Sequence, residues 1–284
     1  MKTLLTGARV IDPSQDLDRV TDLLIEDGKI AKIGALLKSG AVKKSEPDFS
    51  VLDLKGMILV PGLIDMHTHF RDPGFEYKET VESGSAAAAA GGFTAVACMA
   101  NTNPINDNRA VTEYIIRKAR TCGLVRVYPV GAISIGLKGA NLAEYGDMKA
   151  AGVVALSDDG KPVMNSHLMR MALEYAGSLN LPVISHAEDA DLSAEGLMHE
   201  GMVSTELGLP GIPAIAEEAM IARDLLLADY TRTAIHIAHV STRGSVALIR
   251  NAKARGICVT AETAPHYFTF SEESLREFDT YLKV

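Results

Sequence analysis

From Gly62 onward the chain repeats one pattern: a strand-like run, a polar loop, then a helix-like span. The strand-like runs are Leu63 to His67, Thr94 to Met99, Val125 to Val130, Val153 to Leu156, Pro182 to His186, Ala234 to Ala238 and Gly256 to Thr260. Between them, apolar residues at helical spacing predict helices over Thr80 to Ala90, Asn108 to Thr121, Leu142 to Ala151, Ser166 to Leu179, Ile215 to Asp229 and Thr242 to Lys253. Asp107 and Ser241 stand where N-caps belong, and Gly123 and Gly256 where helices should end. Runs such as VYPV (Val127 to Val130), PVIS (Pro182 to Ser185) and AIHIA (Ala234 to Ala238) are expected to be covered on both faces, as strands of a parallel sheet are. Seven such units are one short of a closed (β/α)8 barrel of the TIM type. The last feature before Val284 is the helix-like SEESLREF (Ser271 to Phe278), so the eighth strand and its helix are expected beyond Val284.

Residues 1 to 60 have a different texture and predict a separate small β domain, with the barrel occupying 61 to 284. Thr3 to Leu5, Ala8 to Ile11, Val20 to Ile25, Lys29 to Ile33, Val51 to Leu54 and Met57 to Val60 read as strands. Asp12-Pro13 turns, and Asp27-Gly28 is a strong hairpin signal. Lys38 to Ser50 reads as a polar, charged loop. This is too little chain to close a core alone, so it is expected to be part of a small antiparallel β-sandwich completed by strands from elsewhere.

Composition narrows the functional class. With 284 residues, 47% of them hydrophobic, the chain has material for a large core. A net charge of -8, with no basic run longer than Lys43-Lys44, argues against nucleic acid or a membrane surface as partner. Three scattered cysteines, Cys98, Cys122 and Cys258, imply a reducing compartment and no disulfide framework. No apolar stretch approaches the roughly 18 residues of a spanning helix, and the N-terminus lacks a signal peptide's apolar run. A cytoplasmic location is the resulting expectation.

Chemistry collects at the carboxyl ends of the barrel strands. His67 and His69 lie two positions apart at the end of the first, so both imidazoles face one side. Asp65 is a candidate acceptor behind them, Arg71 a fixed cation just beyond, and Asp72-Pro73-Gly74 a turn. The second strand ends in CMANTNP with Asn101 and Asn103, the fourth in Ser157-Asp158-Asp159-Gly160, the fifth in His186-Ala187-Glu188-Asp189, and the sixth in Ala238-His239-Val240-Ser241. Loops at that end of a barrel meet above it, so four histidines and a carboxylate there read as ligands for zinc rather than as polar strand ends. Of the two adjacent carboxylates, alternation sends only one toward the axis; Asp158 is expected to fix the loop. His199 and His236 read as structural, with His236 pointing outward. Glu217-Glu218 reads as a solvated face, Met99, Met148, Met169 and Met171 as core, and Cys98 as a small buried hydrophobe whose thiolate form could bind metal.

The set HTHFRDPG, MANTNP, SDDG, HAED, AHVS and TAPHY resembles the bacterial type I dihydroorotases of the cyclic amidohydrolase superfamily, over essentially the whole chain. The resemblance implies an amidohydrolase-type barrel and a zinc enzyme, with one or two ions per subunit, that interconverts N-carbamoyl-L-aspartate and dihydroorotate in pyrimidine biosynthesis (EC 3.5.2.3). It implies His67 and His69 on the more buried ion, Asp159 bridging, and His186 and His239 on the second. Arg71 and Asn101 would grip the substrate carboxylate, with His266 near the substrate. The catalytic base would be an aspartate ending strand eight, beyond Val284. Ala100 stands where the family usually has proline, and Tyr267 where it has a second histidine. A homodimer and an association with aspartate carbamoyltransferase are compatible assemblies. Two other readings stay open. Dihydropyrimidinases, hydantoinases and allantoinases usually carry a carboxylated lysine where this chain has Asp159. A catalytically silent homologue would tend to lose histidine ligands, and all four are present here.

Overall fold

A computed structural model describes residues 1–36 and 48–282. The chain separates into two compact units, Met1–Leu63 and Ile64–Val284.

In the first unit, β1 (Lys2–Asp12), β2 (Leu17–Glu26), β3 (Lys29–Gly34), β4 (Phe49–Asp53) and β5 (Ile58–Leu59) form one sheet in the order β3-β2-β1-β4, with β5 also on β1. The two strands expected at Thr3 to Leu5 and Ala8 to Ile11 are one strand with a bulge between Leu5 and Ala8, where Gly7 sits at φ 73°. Asp27 and Gly28 turn β2 into β3 with φ 50° and 75°, the left-handed pair that a tight hairpin requires. The expected antiparallel sheet is in fact mixed. β1 pairs antiparallel with β2, but parallel with β4 and β5, which lie one after the other along its second edge. Leu4, Leu24 and Leu36 close a small core with Phe49. Residues 38–47 of the expected polar loop lie outside the described residues, and Phe49 and Ser50 already belong to β4.

In the second unit, β6 (Leu63–Thr68), β7 (Phe93–Cys98), β8 (Arg126–Gly131), β9 (Ala155–Ser157) and β10 (Val183–Ser185) form one sheet with two later strands. The two-residue β11 (Met198–His199) and β12 (Gly211–Ile212) pair with each other as a separate two-stranded sheet. The sheet resumes with β13 (Ile235–Ile237) and β14 (Val259–Ala261), giving the order β14-β13-β10-β9-β8-β7-β6. Pairing is parallel from β7 to β14. All seven predicted barrel strands are present, in sequence order. Among the described residues no strand joins β6 to β14.

Helices α1 (Val81–Ala90), α2 (Arg109–Cys122), α3 (Tyr145–Ala151) and α4 (Ser166–Ser178) connect β6, β7, β8, β9 and β10 in turn. Short α5 (Ala190–Ser193) and α6 (Met202–Leu207) flank β11 and precede α7 (Ile215–Thr231), α8 (Arg243–Ala254) and α9 (Pro265–Thr269). The N-caps are Asn108 and Thr242, each one residue later than expected, because their side chains accept from the first-turn N–H groups. Gly123 ends α2 at φ 64°. SEESLREF contains a 3-10 helix, Glu272–Glu277.

The central strands β9, β10 and β13 are buried throughout, as the apolar runs around them imply. By contrast, β6 and β14 at the two edges of the sheet are largely exposed, and Tyr128, in the VYPV run expected to be covered on both faces, is 40% exposed. Leu156, Val183, Ile235 and Ile237 pack with Met169, Leu173, Ile221, Leu225 and Ile249 from the helices. On the opposite face, Ala155 and Ile184 join Met99, Val130 and Ala238. Each large side chain buried this way stabilises the fold by about 1.5–3 kcal/mol, which holds the strand ends in place. Met99, Met148 and Met169 are core, but Met171 is 38% exposed on the outer face of α4.

Candidate metal centre

Four imidazoles from three strand ends meet at one carboxylate, that of Asp159, from a fourth strand end. Asp159, 5% exposed, follows β9; its Oδ1 lies 3.2 Å from His67 Nε2, 3.5 Å from His186 Nδ1 and 3.4 Å from His239 Nε2, and its Oδ2 3.4 Å from His69 Nε2. His67 is in β6 and His69 just past it, so the two-residue spacing puts both rings on one side. His186 directly follows β10; Ser185 before it donates to the buried carboxylate of Asp224 at 2.5 Å, which pins that strand end to α7. His239 comes two residues after β13, at φ 38°, a left-handed backbone that turns its ring back toward Asp159. Its Nε2 lies 2.8 Å from His186 Nδ1.

The adjacent carboxylate faces the other way. Asp158 is buried, accepts from Ser134 N at 2.9 Å and from the Ser134 hydroxyl, and so ties the β9 loop to the one after β8. Burial raises the Asp158 pKa, against the opposing hydrogen bonds from Ser134 and Ile133 and, last, the charge of Lys161 past the glycine.

Electrostatics follow from this packing. Burial alone would raise the Asp159 pKa, but hydrogen bonds from His186, His239 and His67 hold it well below the usual carboxylate range. Burial would lower His67, yet Asp159 and Glu262 lift it to about 9. Burial lowers His69, against the opposing effects of Asn101 and Asp159. Two sets of three, His67 with His69 and Asp159, and Asp159 with His186 and His239, each offer ligand atoms within 4.8 Å of one another. Imidazole nitrogens around a shared carboxylate are a donor set that suits zinc, so the residues fit such an ion.

The residues expected to touch substrate lie around this centre. Asn101, after β7, places its Oδ1 3.0 Å from His69 Nδ1, so its amide oxygen holds the imidazole and only Nδ2 is left to donate. Arg71 sits two residues beyond His69 at φ 61°, close enough for its charge to lower the His69 pKa. The cleft over the four histidines is walled by Tyr267, Glu188 and Glu217. His266 is not on that wall: it stacks edge-on against Tyr267 at 4.4 Å, and the adjoining cleft takes it instead.

Three assignments change. Asp65 accepts from the His67 backbone N at 3.0 Å, and the acceptor at the His67 ring is Glu262, whose Oε1 is 2.5 Å from Nδ1. Sequence proximity favoured Asp65; Glu262 arrives from β14, 195 residues away in sequence. His236 points inward, with Nε2 3.3 Å from Glu262 Oε2. Glu217 is half-buried and engaged rather than free on a solvated face: its carboxylate accepts from the backbone N of Ser241 and Thr242, at 3.0 Å each, and from both their hydroxyls, at 2.8 and 3.1 Å, at the start of α8. Glu217 is on the first turn of α7 and meets the start of α8 only because those helices pack side by side.

A family model described as dihydro-orotase-like matches residues 56–245, a span that contains all five residues of the centre. This chain belongs to that family. It is 62% identical over its whole length to a dihydroorotase of Syntrophus aciditrophicus, covering 66% of that protein, and 57% identical to one of Syntrophotalea carbinolica, covering 65%. The chain thus spans about two thirds of the length of the curated relatives it matches. Among solved structures it is similar to an L-hydantoinase (dihydropyrimidinase) from Arthrobacter aurescens, with a TM-score of 0.78 at 22% identity over 99% of this chain and 62% of that one. A dihydropyrimidinase from Brevibacillus agri gives a TM-score of 0.73 at 21% identity, over 98% of this chain and 60% of that one. At those identities the likeness concerns the fold: the seven strands belong to an α/β barrel of this kind. No helix among the described residues is long and apolar enough to cross a membrane.

Proposed function

We propose that this chain carries the metal-holding part of a dihydroorotase, which interconverts N-carbamoyl-L-aspartate and dihydroorotate with zinc. The observation that carries the reading is the convergence of four imidazoles on Asp159, in a chain 62% identical to a dihydroorotase. His67, His69 and Asp159 would hold one ion, and Asp159, His186 and His239 a second. When bound, zinc polarises a carbonyl, stabilises the oxyanion of a tetrahedral carbon and lowers the pKa of water.

The chain's own residues do the rest. Asp159 is held so firmly ionised that it anchors charge and does not act as a base near neutral pH. The Arg71 guanidinium has no hydrogen bond or ion pair among the described residues; the left-handed backbone of Arg71 costs about 1–2 kcal/mol, and its charge lies near enough to His69 to act on that ring. A guanidinium suits a substrate carboxylate, because its planar fork makes two parallel hydrogen bonds, and Asn101 Nδ2 can add a third. Burial and the charges of Glu217, Glu188 and Asp159 raise the Tyr267 pKa, so its phenol stays protonated at the cleft wall and can donate to substrate.

Dihydroorotate carries a ring carboxylate that dihydrouracil lacks, and this separates the reading from the hydantoinase branch. In the full-length protein, zinc should be bound and lost on chelation together with activity. Arg71→Ala should lower kcat/KM for dihydroorotate by about 2–5 kcal/mol of transition-state stabilisation, with metal content unchanged and the slow turnover of dihydrouracil scarcely altered. A wild type that prefers dihydrouracil would place the substrate in the carboxylate-free branch.

A further inference from the structure

Glu262 directly follows β14 and faces two histidines at once. Its Oε1 lies 2.5 Å from His67 Nδ1 and its Oε2 3.3 Å from His236 Nε2. On the other edge of the His67 ring, Nε2 lies 3.2 Å from Asp159. The two nitrogens of His67 are thereby divided: one points back into the protein, the other into the centre. His236 is buried, and its Nδ1 is taken by Thr260 Oγ1 at 2.7 Å, so its remaining nitrogen is the edge presented to Glu262. That Nε2 has no hydrogen-bond partner of good geometry, which leaves the Glu262 carboxylate as its nearest acceptor.

Among the described residues, no other imidazole of the centre is backed in this way. His69 Nδ1 meets a neutral amide oxygen, that of Asn101, and His186 and His239 meet each other. We propose that Glu262 is a positioning residue: it takes the Nδ1–H of His67 and so presents Nε2 to the ion, while His236 steadies the second oxygen of Glu262. The proposal rests on reading the cluster as a metal centre. Its physical basis is general. A carboxylate behind a ligating imidazole selects the tautomer, fixes the ring and makes it a stronger ligand, and losing such a partner typically weakens metal binding about 10- to 100-fold. Because Glu262 touches only His67 of the four, the effect should fall on the ion shared by His67 and His69.

The test is titration of the metal-free full-length protein with Zn2+ against a chromophoric chelator, for wild type, Glu262→Gln and Glu262→Ala. It is accompanied by Co2+ absorption spectra and by melting temperatures of the metal-free forms. Glu262→Ala should weaken one binding step about 10- to 100-fold and shift the Co2+ bands of that site, leaving any second step within about threefold. Glu262→Gln, whose amide oxygen can still accept from Nδ1–H, should fall between it and wild type. Unchanged zinc affinity and Co2+ spectra with only a lower melting temperature would overturn the proposal, showing Glu262 to be a structural partner of two buried rings. Equal weakening of two steps would also overturn it, because the residue would then act on the whole centre. A wild type that binds no zinc would defeat the metal reading itself, and this proposal with it.

Discussion

The two histidine pairs of the centre are built differently. His67 and His69 come from one strand, and each is held from behind by a side chain, Glu262 for one and Asn101 for the other. His186 and His239 come from two strands and lean on each other at 2.8 Å, with Asp159 as their common carboxylate. Their support comes from nearby in the chain: Ser185, one residue before His186, is pinned to Asp224, and Ser241, two residues after His239, is pinned to Glu217. The first pair is oriented through its rings, the second through its backbone. Ring-oriented ligands should keep their geometry without metal, whereas the second pair has most to reorganise when an ion enters between its nitrogens.

The largest expected effect would erase this difference. Asp159 is the acceptor shared by both pairs, so Asp159→Ala should deplete bound metal and reduce turnover by about 100-fold or more. Elemental analysis with steady-state kinetics measures both. Loss of metal from one pair alone would mean that the pairs do not share their carboxylate.

Asp158→Ala should separate the loop from the ligands. It strands the backbone N–H and hydroxyl of Ser134 in the interior, at a cost of about 1–3 kcal/mol in denaturant unfolding, with far less effect on metal content than Asp159→Ala. Equal metal loss in the two variants would mean the carboxylates have been assigned the wrong way round.

The smallest effect probes the packing behind the first pair. Cys98 lies in the core of β7 with Phe70 and Val96, and burial pushes its thiol up to about 12. At neutral pH it stays protonated, so native protein should be alkylated first at exposed Cys258, then at half-buried Cys122, and at Cys98 only after unfolding. The sign of the linkage follows. A thiol ionising near 9 unfolded and about 12 folded costs nothing below pH 9, and above it lowers stability by about 1.4 kcal/mol per pH unit until its folded pKa is reached. Cys98→Ala should remove that slope between pH 9 and 10.5 in urea titrations. Fast labelling of native Cys98 would mean that the β6 side opens readily.

The repeat of strands and helices was legible because local periodicity dictates it, and seven strands lie where their apolar runs stood. The strand-end histidines were legible for the same reason: a residue at the end of a parallel strand can only sit where the loops converge. The short elements α5, β11, α6 and β12 left no readable period, being two to six residues long. The mixed sheet of the first unit was missed because a hairpin signal reports only neighbours in sequence, and β4 and β5 reach β1 from afar.

By itself, then, the sequence determined the ligand-type residues and their order along the chain, since residue identity and spacing decide what a strand end presents. Tertiary structure alone decided which atoms face each other. Glu262 stands behind His67 because the carboxyl ends of β14 and β6, the two edge strands of the sheet, come together, and Glu217 reaches the start of α8 because α7 lies beside it. His236 turns inward because a carboxylate from the neighbouring strand waits there. A carboxylate in a sequence has no direction; it acquires one only when the backbone on either side of it has been packed.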